Sequence, residues 1–200
     1  LDKVTTSGGC TPLFIAAQEG HCEVARKLIA AGCNVNKVRT DTGESALYTA
    51  AYRGHVTVVE KLIAAGCDVN LAITDYGITP LYIAAQENHI EVVERLIAAG
   101  CDVDKAATKY GCTPLYIAAE CGRVDVVEKL IDAGCDVNKA RTDNGATPLY
   151  TAAEDGYVNI VKKLLANGAD KSIRALCCDV PFLPLDAARR YEHHAIVALL

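Results

Sequence analysis

The chain repeats one pattern of apolar and polar positions every 34 residues. Its clearest marker is a leucine that occurs once in each copy, at Leu13, Leu47, Leu81, Leu115 and Leu149. The copy from Thr79 to Cys112 and the copy from Thr113 to Ala146 are identical at 21 of 34 aligned positions. A sixth, degenerate copy starts near Leu183, two residues late. This self-similarity predicts one structural unit that is repeated along the chain.

Each copy contains signals for two helices. Threonine followed by proline, as at Thr79-Pro80, favours a helix start, because the threonine caps the helix and proline has no N–H to satisfy there. We expect this first helix to continue through Ala85. The second helix has apolar residues on one face; in the second copy they are Val58, Val59, Leu62 and Ile63. Gly66 then favours the left-handed conformation at which helices end.

The connectors between copies predict a further element. Residues 67–78 separate Gly66 from the next Thr-Pro, and they include the cluster Thr74-Asp75-Tyr76-Gly77, which indicates a turn. We predict that such connectors form hairpin-like fingers. Between Lys171 and Phe182 the pattern is lost, and no regular hairpin is expected there. Since one unit cannot bury its own apolar face, stacking of neighbouring units must stabilise the fold.

These units resemble the ankyrin repeat, whose pattern is Thr-Pro-Leu-His, Ala-Ala, a Gly-His turn, a Val- and Leu-rich helix, and Gly-Ala-Asp-Val-Asn. The fourth unit reads Thr113-Pro114-Leu115-Tyr116, then Ala118-Ala119, and then Gly134-Cys135-Asp136-Val137-Asn138. The resemblance covers essentially the whole chain. It implies a mainly α fold, an ankyrin-repeat solenoid of stacked helix-turn-helix units that are joined by β-hairpin-like fingers.

Several positions depart from the family pattern. Tyrosine or phenylalanine replaces the usual histidine, cysteine replaces the usual alanine after glycine, and each unit has one extra residue in its finger. In the second unit Ser45-Ala46 replaces Thr-Pro. Tetratricopeptide repeats also have a period of 34, but their motif requires a tryptophan. The chain has no tryptophan, and its long connectors also disfavour that fold.

We therefore expect residues 1–200 to form a single ankyrin-repeat array. The predicted units span about 11–44, 45–78, 79–112, 113–146 and 147–182, followed by a partial or capping unit at 183–200. Residues 1–10 align with the finger at 35–44 and are interpreted as the remnant of a preceding finger. Because no polar capping repeat precedes the first unit, we expect a segment of a longer array or a processed chain.

Charge and hydropathy limit the classes of partner. The chain has a formal net charge of −5 and a sequence pI of about 5.5, and no run of lysine and arginine exceeds two residues. A nucleic-acid-binding protein would show a basic patch, so no nucleic acid partner is predicted. No stretch approaches the ~18 apolar residues of a membrane span, so no membrane partner is expected either.

The ten cysteines bear on the cellular compartment. Four of them recur at intervals of 34, at Cys33, Cys67, Cys101 and Cys135. Equivalent residues of stacked units lie about 8–10 Å apart, whereas a disulfide requires Cα atoms within about 7 Å. We interpret this ladder as buried thiols that fill apolar space. The expected localisation is a reducing compartment, the cytoplasm or alternatively the nucleus.

No motif predicts catalysis or a cofactor. The chain has no phosphate-binding glycine loop and no Gly-x-Ser-x-Gly elbow. Adjacent Cys177-Cys178 and His193-His194 are weak candidates for zinc, since they lack the usual Cys-x₂₋₄-Cys spacing. A structural role is expected for the histidines that follow the first helices, His21, His55 and His89. We predict that the protein is not an enzyme and has no metal site.

Function is expected at positions that differ between units, because the repeated positions maintain the fold. The resemblance implies that these variable positions line a concave groove that binds a protein or peptide. The predicted partner-binding residues are Tyr52, Arg53, Ile73, Tyr76, Ile78, Tyr110, Glu120, Glu154 and Asp155. The first six are of the types that commonly dominate binding energy. The three acidic residues suit a basic stretch on the partner.

Other interpretations of these residues stay open at this point. The six apolar, aromatic and arginine residues can be ordinary surface residues, and a monomeric array can act as a structural spacer within a larger multi-repeat protein. Asn36, Asn70 and Asn138 resemble asparagines that an asparaginyl hydroxylase modifies in ankyrin repeats; their structural interpretation is to order the finger. The aromatic residues that recur from Phe14 to Tyr150 are predicted to belong to the scaffold.

Overall fold

The computed structural model describes residues 2–3, 8–177 and 180–200, which form two compact units, Leu1–Lys105 and Ala106–Leu200. From here on, the first and second unit mean these two, and a single helix pair with its finger is called a repeat. The first unit contains α1 (Pro12–Gln18), α2 (Cys22–Ala30), α3 (Ala46–Arg53), α4 (Val56–Ala64), α5 (Pro80–Gln86) and α6 (Ile90–Ala98). The second contains α7 (Pro114–Glu120), α8 (Val124–Asp132), α9 (Pro148–Glu154), α10 (Val158–Ala166), β1 (Ala175–Cys177), β2 (Val180–Phe182), α11 (Pro184–Arg190) and α12 (His194–Val197). The predicted finger remnant at residues 1–10 lies partly outside the described residues.

The short first helices begin where the sequence predicts. The hydroxyl of Thr79 accepts a hydrogen bond of 3.1 Å from the Tyr82 N–H, and Pro80 occupies the first helical position. Ser45, which replaces the usual threonine, accepts the equivalent bond from Tyr48 at 3.0 Å. At the degenerate start, the Leu183 N–H instead donates to the Asp186 carboxylate at 3.0 Å. A polar side chain therefore satisfies a free backbone group at each of these helix starts.

Within each unit, helices pack on the equivalent helices of the next repeat. In the first unit α1, α3 and α5 pack in that order, as do α2, α4 and α6; in the second unit α7, α9 and α11 do so, as do α8, α10 and α12. The repeated leucines and the paired alanines of the first helices are buried between these layers. Small alanines let the helices approach closely. The predicted mainly α ankyrin-type fold is confirmed.

Histidines connect neighbouring repeats through the backbone. The Nε2 of His55 donates to the Gln18 carbonyl at 3.1 Å, and the Nε2 of His89 donates to the Tyr52 carbonyl at 2.9 Å. The ring of His89 lies against Gly54, whose φ is +72° and whose added Cβ would come within 2.6 Å of the ring. The predicted structural role is confirmed for His55 and His89 and stays a prediction for His21.

The base turns, which follow the second helices, are linked by the predicted asparagines. The Asn36 carboxamide oxygen accepts a 2.8 Å hydrogen bond from the Asp68 N–H in the next repeat. The Asp68 carboxylate in turn accepts from the Asn70 N–H at 2.9 Å. Asn70 and Asn138 accept the same bonds, at 2.9 Å from Asp102 and 2.8 Å from Asp170. These side chains order one base turn on the next.

The fingers have the predicted hairpin-like form. In the finger after α4, the Ile73 N–H donates to the Ile78 carbonyl at 3.0 Å and closes the loop. The side chain of Thr74 contacts the preceding finger, where its hydroxyl donates to the Thr42 carbonyl at 3.3 Å. A Cβ added to Gly43 would come within 2.7 Å of Thr74. The fingers therefore stack by placing a threonine against a glycine.

The expectation of no regular hairpin between Lys171 and Phe182 is wrong. Strand β1 pairs antiparallel with β2, with Ala175 opposite Phe182 and Cys177 opposite Val180. The Leu176 N–H also donates to the Asn144 carbonyl of the preceding finger at 2.7 Å. The turn motif is lost here, but backbone pairing needs no particular side chain, and for this reason the strands form without it. No helix within the described part of the chain is long and apolar enough to span a bilayer.

Replacing Gly54 with alanine should lower stability more than replacing Gly66. Both glycines have positive φ, and alanine there costs about 1–2 kcal/mol. Only at Gly54 does the added Cβ collide with a neighbour, the His89 ring, whereas nothing lies within 4 Å of Gly66. We expect Gly54→Ala to cost about 1 kcal/mol more in urea unfolding, since the His89 hydrogen bond is disturbed as well. Equal losses for the two variants would contradict this packing.

Candidate protein-binding surface

Tyr52 and Arg53 lie at the end of α3 with both side chains exposed. The Arg53 guanidinium lies 5.4 Å from the centre of the Tyr52 ring. The Tyr52 carbonyl accepts the His89 hydrogen bond described above, so its backbone is held while its ring faces solvent. This arrangement presents an ordered aromatic side chain to a partner at little conformational cost.

Tyr52 and two glutamates influence the ionisation of Tyr48, a buried tyrosine of the same helix. The pKa of the Tyr48 hydroxyl is raised to about 12, mainly by burial and to a smaller extent by Glu44, Tyr52 and Glu87. Glu44 belongs to a finger, Tyr52 lies at the end of α3, and Glu87 directly follows α5. Glu44 and Glu87 were not among the predicted binding residues, although both lie at variable positions.

The finger between α4 and α5 carries three of the predicted residues. Ile73 and Ile78 are half-buried and close the finger through their backbone atoms, whereas Tyr76 is 46% exposed. The apolar Ile73 occupies the position at which the preceding finger has Arg39. This finger consequently offers an exposed tyrosine and partly accessible isoleucines, which is a more apolar surface than its neighbour has.

In the second unit, Tyr110 is ordered by an arginine that the prediction omitted. The Arg141 guanidinium lies 5.2 Å from the centre of the Tyr110 ring and 5.4 Å from that of Tyr116. Two further bonds, of 2.9 and 2.6 Å, attach it to the Asp143 carboxylate and lower the pKa of that group. The same Arg-Thr-Asp sequence occurs at residues 39–41, where Arg39 covers Phe14 at 5.3 Å. This repeated tripeptide was the signal that could have identified Arg141.

Arg141 also connects Tyr110 to the first of the predicted acidic residues. Its Nη1 donates to the Tyr116 hydroxyl at 3.4 Å and lies 3.9 Å from the Glu120 carboxylate. The Tyr116 hydroxyl in turn donates to Glu120 at 3.4 Å. Burial raises the pKa of Glu120, while Arg141 and Tyr116 act in the opposite direction.

The three predicted carboxylates all have raised pKa values. Partial burial is the largest cause of the raised pKa at Glu120, Glu154 and Asp155. Repulsion adds to it at the two glutamates, because Asp155 raises the pKa of both and Glu120 raises that of Glu154, while Arg190 acts in the opposite direction on Glu154. The Glu154 carbonyl accepts a 2.9 Å bond from His193 Nε2, and Glu154 itself is half-buried. A cation from a partner would relieve this repulsion.

A family comparison agrees with this geometry. The family model for ankyrin repeats (three copies) matches residues 1–73, 71–141 and 105–175. The chain belongs to the ankyrin repeat family. A comparison with curated proteins finds no significant match. Ankyrin repeats are generally protein–protein interaction modules and are typically non-enzymatic.

The predicted binding residues are divided between the two units of this ankyrin repeat protein. Tyr52, Arg53, Ile73, Tyr76 and Ile78 lie in the first unit, and the other four lie in the second. Within the second unit, Arg141 contacts both Tyr110 and Glu120. Glu120, Glu154 and Asp155 are called the acidic group below. A single patch that includes both Tyr76 and Tyr110 stays a prediction.

The aromatic residues at the ankyrin histidine position belong to the scaffold, as predicted. All five side chains are buried: Phe14, Tyr48, Tyr82, Tyr116 and Tyr150. Asn36, Asn70 and Asn138 accept the hydrogen bonds between base turns, which supports their structural interpretation. Their hydroxylation stays a prediction.

Three of the four cysteines in the ankyrin base turns are buried, namely Cys33, Cys101 and Cys135, while Cys67 is half-buried. Burial raises the pKa of Cys67 and of Cys101 to about 11. These thiols are thus neutral at physiological pH, in agreement with a filling role.

The weak zinc candidates are not arranged as a site in the described residues. The Nε2 of His193 is engaged with the Glu154 carbonyl, and Cys177 lies 3.7 Å from the Arg190 guanidinium. Cys178 lies outside the described residues. Among residues 2–3, 8–177 and 180–200, no cluster of three or more His, Cys, Asp or Glu could bind a metal ion.

Glu154→Gln should raise stability at neutral pH. Burial raises the pKa of this carboxyl above 4.5 in the folded chain, so its contribution to stability falls as pH rises from below 4.5 toward neutrality. We expect a gain of less than about 1 kcal/mol in urea unfolding at pH 7, which should disappear as pH falls below 4.5. Glu128→Gln is the control with opposite sign, since Lys163 lowers the pKa of that exposed carboxyl. A loss of stability in Glu154→Gln at pH 7 would argue against this assignment.

Proposed function

We propose that the chain binds a partner protein or peptide on the surface formed by its fingers and by the ends of its first helices, the groove that the family resemblance predicts. The observation that carries this proposal is the contrast between buried, repeated positions and exposed, variable ones. Tyr52, Tyr76 and Tyr110 are exposed on ordered elements, whereas the tyrosines of the scaffold are buried. Stacking does not require these exposed rings.

The first unit supports an apolar contact with the partner. Tyr52 is held at the end of α3 by its backbone, and Tyr76 extends from the finger that Ile73 and Ile78 close. Exposed aromatic side chains on rigid supports lose little entropy on binding and bury a large area. A partner segment with apolar side chains is therefore the best match for this unit.

The second unit supports a contact with positive charge. Glu120, Glu154 and Asp155 are partly desolvated and repel one another, so a lysine or arginine of the partner would lower their pKa values and release protons. Arg141 is already engaged with Asp143 and with two tyrosine rings. We propose that a basic segment of a partner binds here.

Tyr76→Ala and Tyr110→Ala should each weaken partner binding by about 1 kcal/mol or more, a loss of roughly fivefold in affinity. The reason is the loss of an exposed ring that the partner would cover. A pull-down from a candidate proteome identifies partners, and titration calorimetry with the purified partner measures the affinity of each variant.

Arg95→Ala is the matched control for these tyrosine variants. Arg95 is a large exposed side chain on the second helix α6, outside the predicted surface, where it pairs with Glu60 at 2.7 Å. Its replacement should leave affinity unchanged. If neither tyrosine variant changes affinity, the proposed hot spot is wrong. A chain that captures no partner at all supports the alternative role as a spacer within a larger multi-repeat protein.

Neutralising the acidic group should mainly slow association. Glu120→Gln and Glu154→Gln remove charges that attract a basic segment, and long-range attraction acts on encounter more than on the lifetime of the complex. We expect an association rate about two- to fivefold lower at low salt and a smaller difference at 0.5 M salt. Glu128→Gln, on the second helix of its repeat, α8, should leave the rate unchanged. An association rate that is independent of salt would refute a basic partner.

We also propose that the protein works in a reducing compartment, the cytoplasm or the nucleus. The buried, protonated thiols of the base turns support this, because they fill apolar space as thiols and gain nothing from oxidation. Thiol labelling of the protein from its native source, under denaturing conditions, should find these cysteines reduced. Their recovery as disulfides would exclude the proposed compartment.

A further inference from the structure

Two grooves between neighbouring second helices are equivalent in position but differ in charge. One lies in the second unit between α8 and α10, and the other lies in the first unit between α2 and α4. Three equivalent residues line each groove: Glu128, Ile131 and Lys163 in the second unit, and Arg26, Ile29 and Lys61 in the first. Corresponding residues are separated by three 34-residue periods, so the two grooves can be compared residue by residue.

In the second unit, an ion pair within the chain occupies the groove. The Lys163 ammonium donates a hydrogen bond of 2.7 Å to the Glu128 carboxylate, and this contact lowers the pKa of that carboxyl. Asp132 and Asn167 add further polar side chains to the lining, and the groove has a volume of about 90 Å³. The acid and the base at this groove therefore both belong to the chain.

The same kind of ion pair joins α4 to α6, where the Arg95 guanidinium lies 2.7 Å from the Glu60 carboxylate. In both pairs an acid on one second helix contacts a base 35 positions later, on the next second helix. Between α2 and α4 the acid is missing, because Arg26 stands at the position of Glu60 and Glu128. Arg26 and Lys61 thus place two positive charges where the other two grooves have an ion pair.

Positive charge exceeds negative charge around the α2–α4 groove. The exposed Glu23 carboxylate accepts two hydrogen bonds from Arg26, of 3.0 and 2.8 Å. Arg26 is the largest cause of the lowered pKa of Glu23, and Lys27 and Lys61 lower it further by smaller amounts. One carboxylate therefore interacts with three cations. A second carboxylate placed between Arg26 and Lys61 would be attracted by both.

The α2–α4 groove is also wider and more apolar than its counterpart. Its volume is about 200 Å³, more than twice that of the second-unit groove, and Ile29, Ala64 and Ala65 complete its lining. Ala65 stands at the position of Asn167, whose amide donates to the Lys163 carbonyl at 2.8 Å. The smaller, apolar side chain leaves room for an apolar group beside the two cations.

We propose that this groove binds an acidic segment of a partner protein, in which a glutamate or aspartate is flanked by apolar residues. We call it the basic groove; its lining is Arg26, Ile29, Lys61, Ala64 and Ala65. The carboxylate of the partner takes the place that an acid of the chain has in the second unit, and a flanking apolar side chain covers the alanines. The proposal is independent of the binding function proposed above, which uses the fingers and the first helices.

The test titrates the isotope-labelled full chain with two short peptides, acetylated and amidated Leu-Glu-Leu and Leu-Gln-Leu, and follows the backbone amide resonances. The glutamate peptide should shift the resonances of Ile29, Ala64 and Ala65, with a dissociation constant of about 1 mM for so small a ligand. The glutamine peptide should bind about fivefold more weakly, since it lacks the charge. High salt should reduce this difference.

Two charge-reversal variants make the test specific, and both change exposed side chains. Arg26→Glu should abolish binding of the glutamate peptide, because it supplies the acid that pairs with Lys61. Glu60→Arg is the converse variant, since it removes the acid of the α4–α6 groove. It should create a second site there, seen as shifts at Ile63 and Ala98, which are equivalent to residues 29 and 64.

Several outcomes would overturn the proposal. They are the absence of shifts with the glutamate peptide, equal affinity for both peptides, and binding that survives Arg26→Glu. Octanoate serves as a third probe, because it carries a carboxylate on a free alkyl chain. If octanoate binds the basic groove more tightly than the glutamate peptide does, the occupant is a free carboxylic acid, and a partner protein is excluded.

Discussion

The alignment of each repeat on the next is set by polar side chains that bind the backbone of the neighbouring repeat. In the helix layer His55 reaches the Gln18 carbonyl, in the base turns Asn70 accepts from the Asp102 N–H, and in the fingers Thr74 reaches the Thr42 carbonyl. Backbone groups are the same whatever residue carries them, so these contacts tolerate change at the position they bind. The apolar core beneath supplies most of the stability, because one helix pair cannot bury its own face.

This arrangement separates the residues that hold the stack from those that can vary. Gln18, Tyr52 and Glu154 occupy equivalent positions, and the carbonyl of each accepts the histidine bond from the next repeat. Their side chains differ completely: an amide, a phenol and a carboxylate. The scaffold thus fixes the position of the backbone while the side chain is free to suit a partner. A binding surface of this kind can change without loss of the fold.

Features that rest on local sequence were predictable, whereas those that rest on distant pairing were not. The cap at Thr79 and the helix end at Gly66 follow from a few adjacent residues, and the 34-residue period places them in every copy. The β1–β2 hairpin depends on backbone pairing without a turn motif, and the contact of Arg141 with Tyr116 joins residues 25 positions apart. The Arg-Thr-Asp tripeptide that recurs at residues 39–41 marks Arg141, but the 34-residue period does not show which rings and carboxylates it contacts.

The acidic group helps to distinguish a binding role from a spacer role. Glu120 and Glu154 are partly desolvated, and their raised pKa values mean that their charges oppose folding at neutral pH. At the equivalent position the first unit has Gln18, Tyr52 and Gln86, which carry no charge there. Stacking therefore does not require a carboxylate at this position, and uncharged residues fit it. A spacer would gain from such residues in every repeat, whereas a surface that attracts a basic partner gains from keeping the charges close together. This contrast is the physical ground for preferring a binding role to a spacer role.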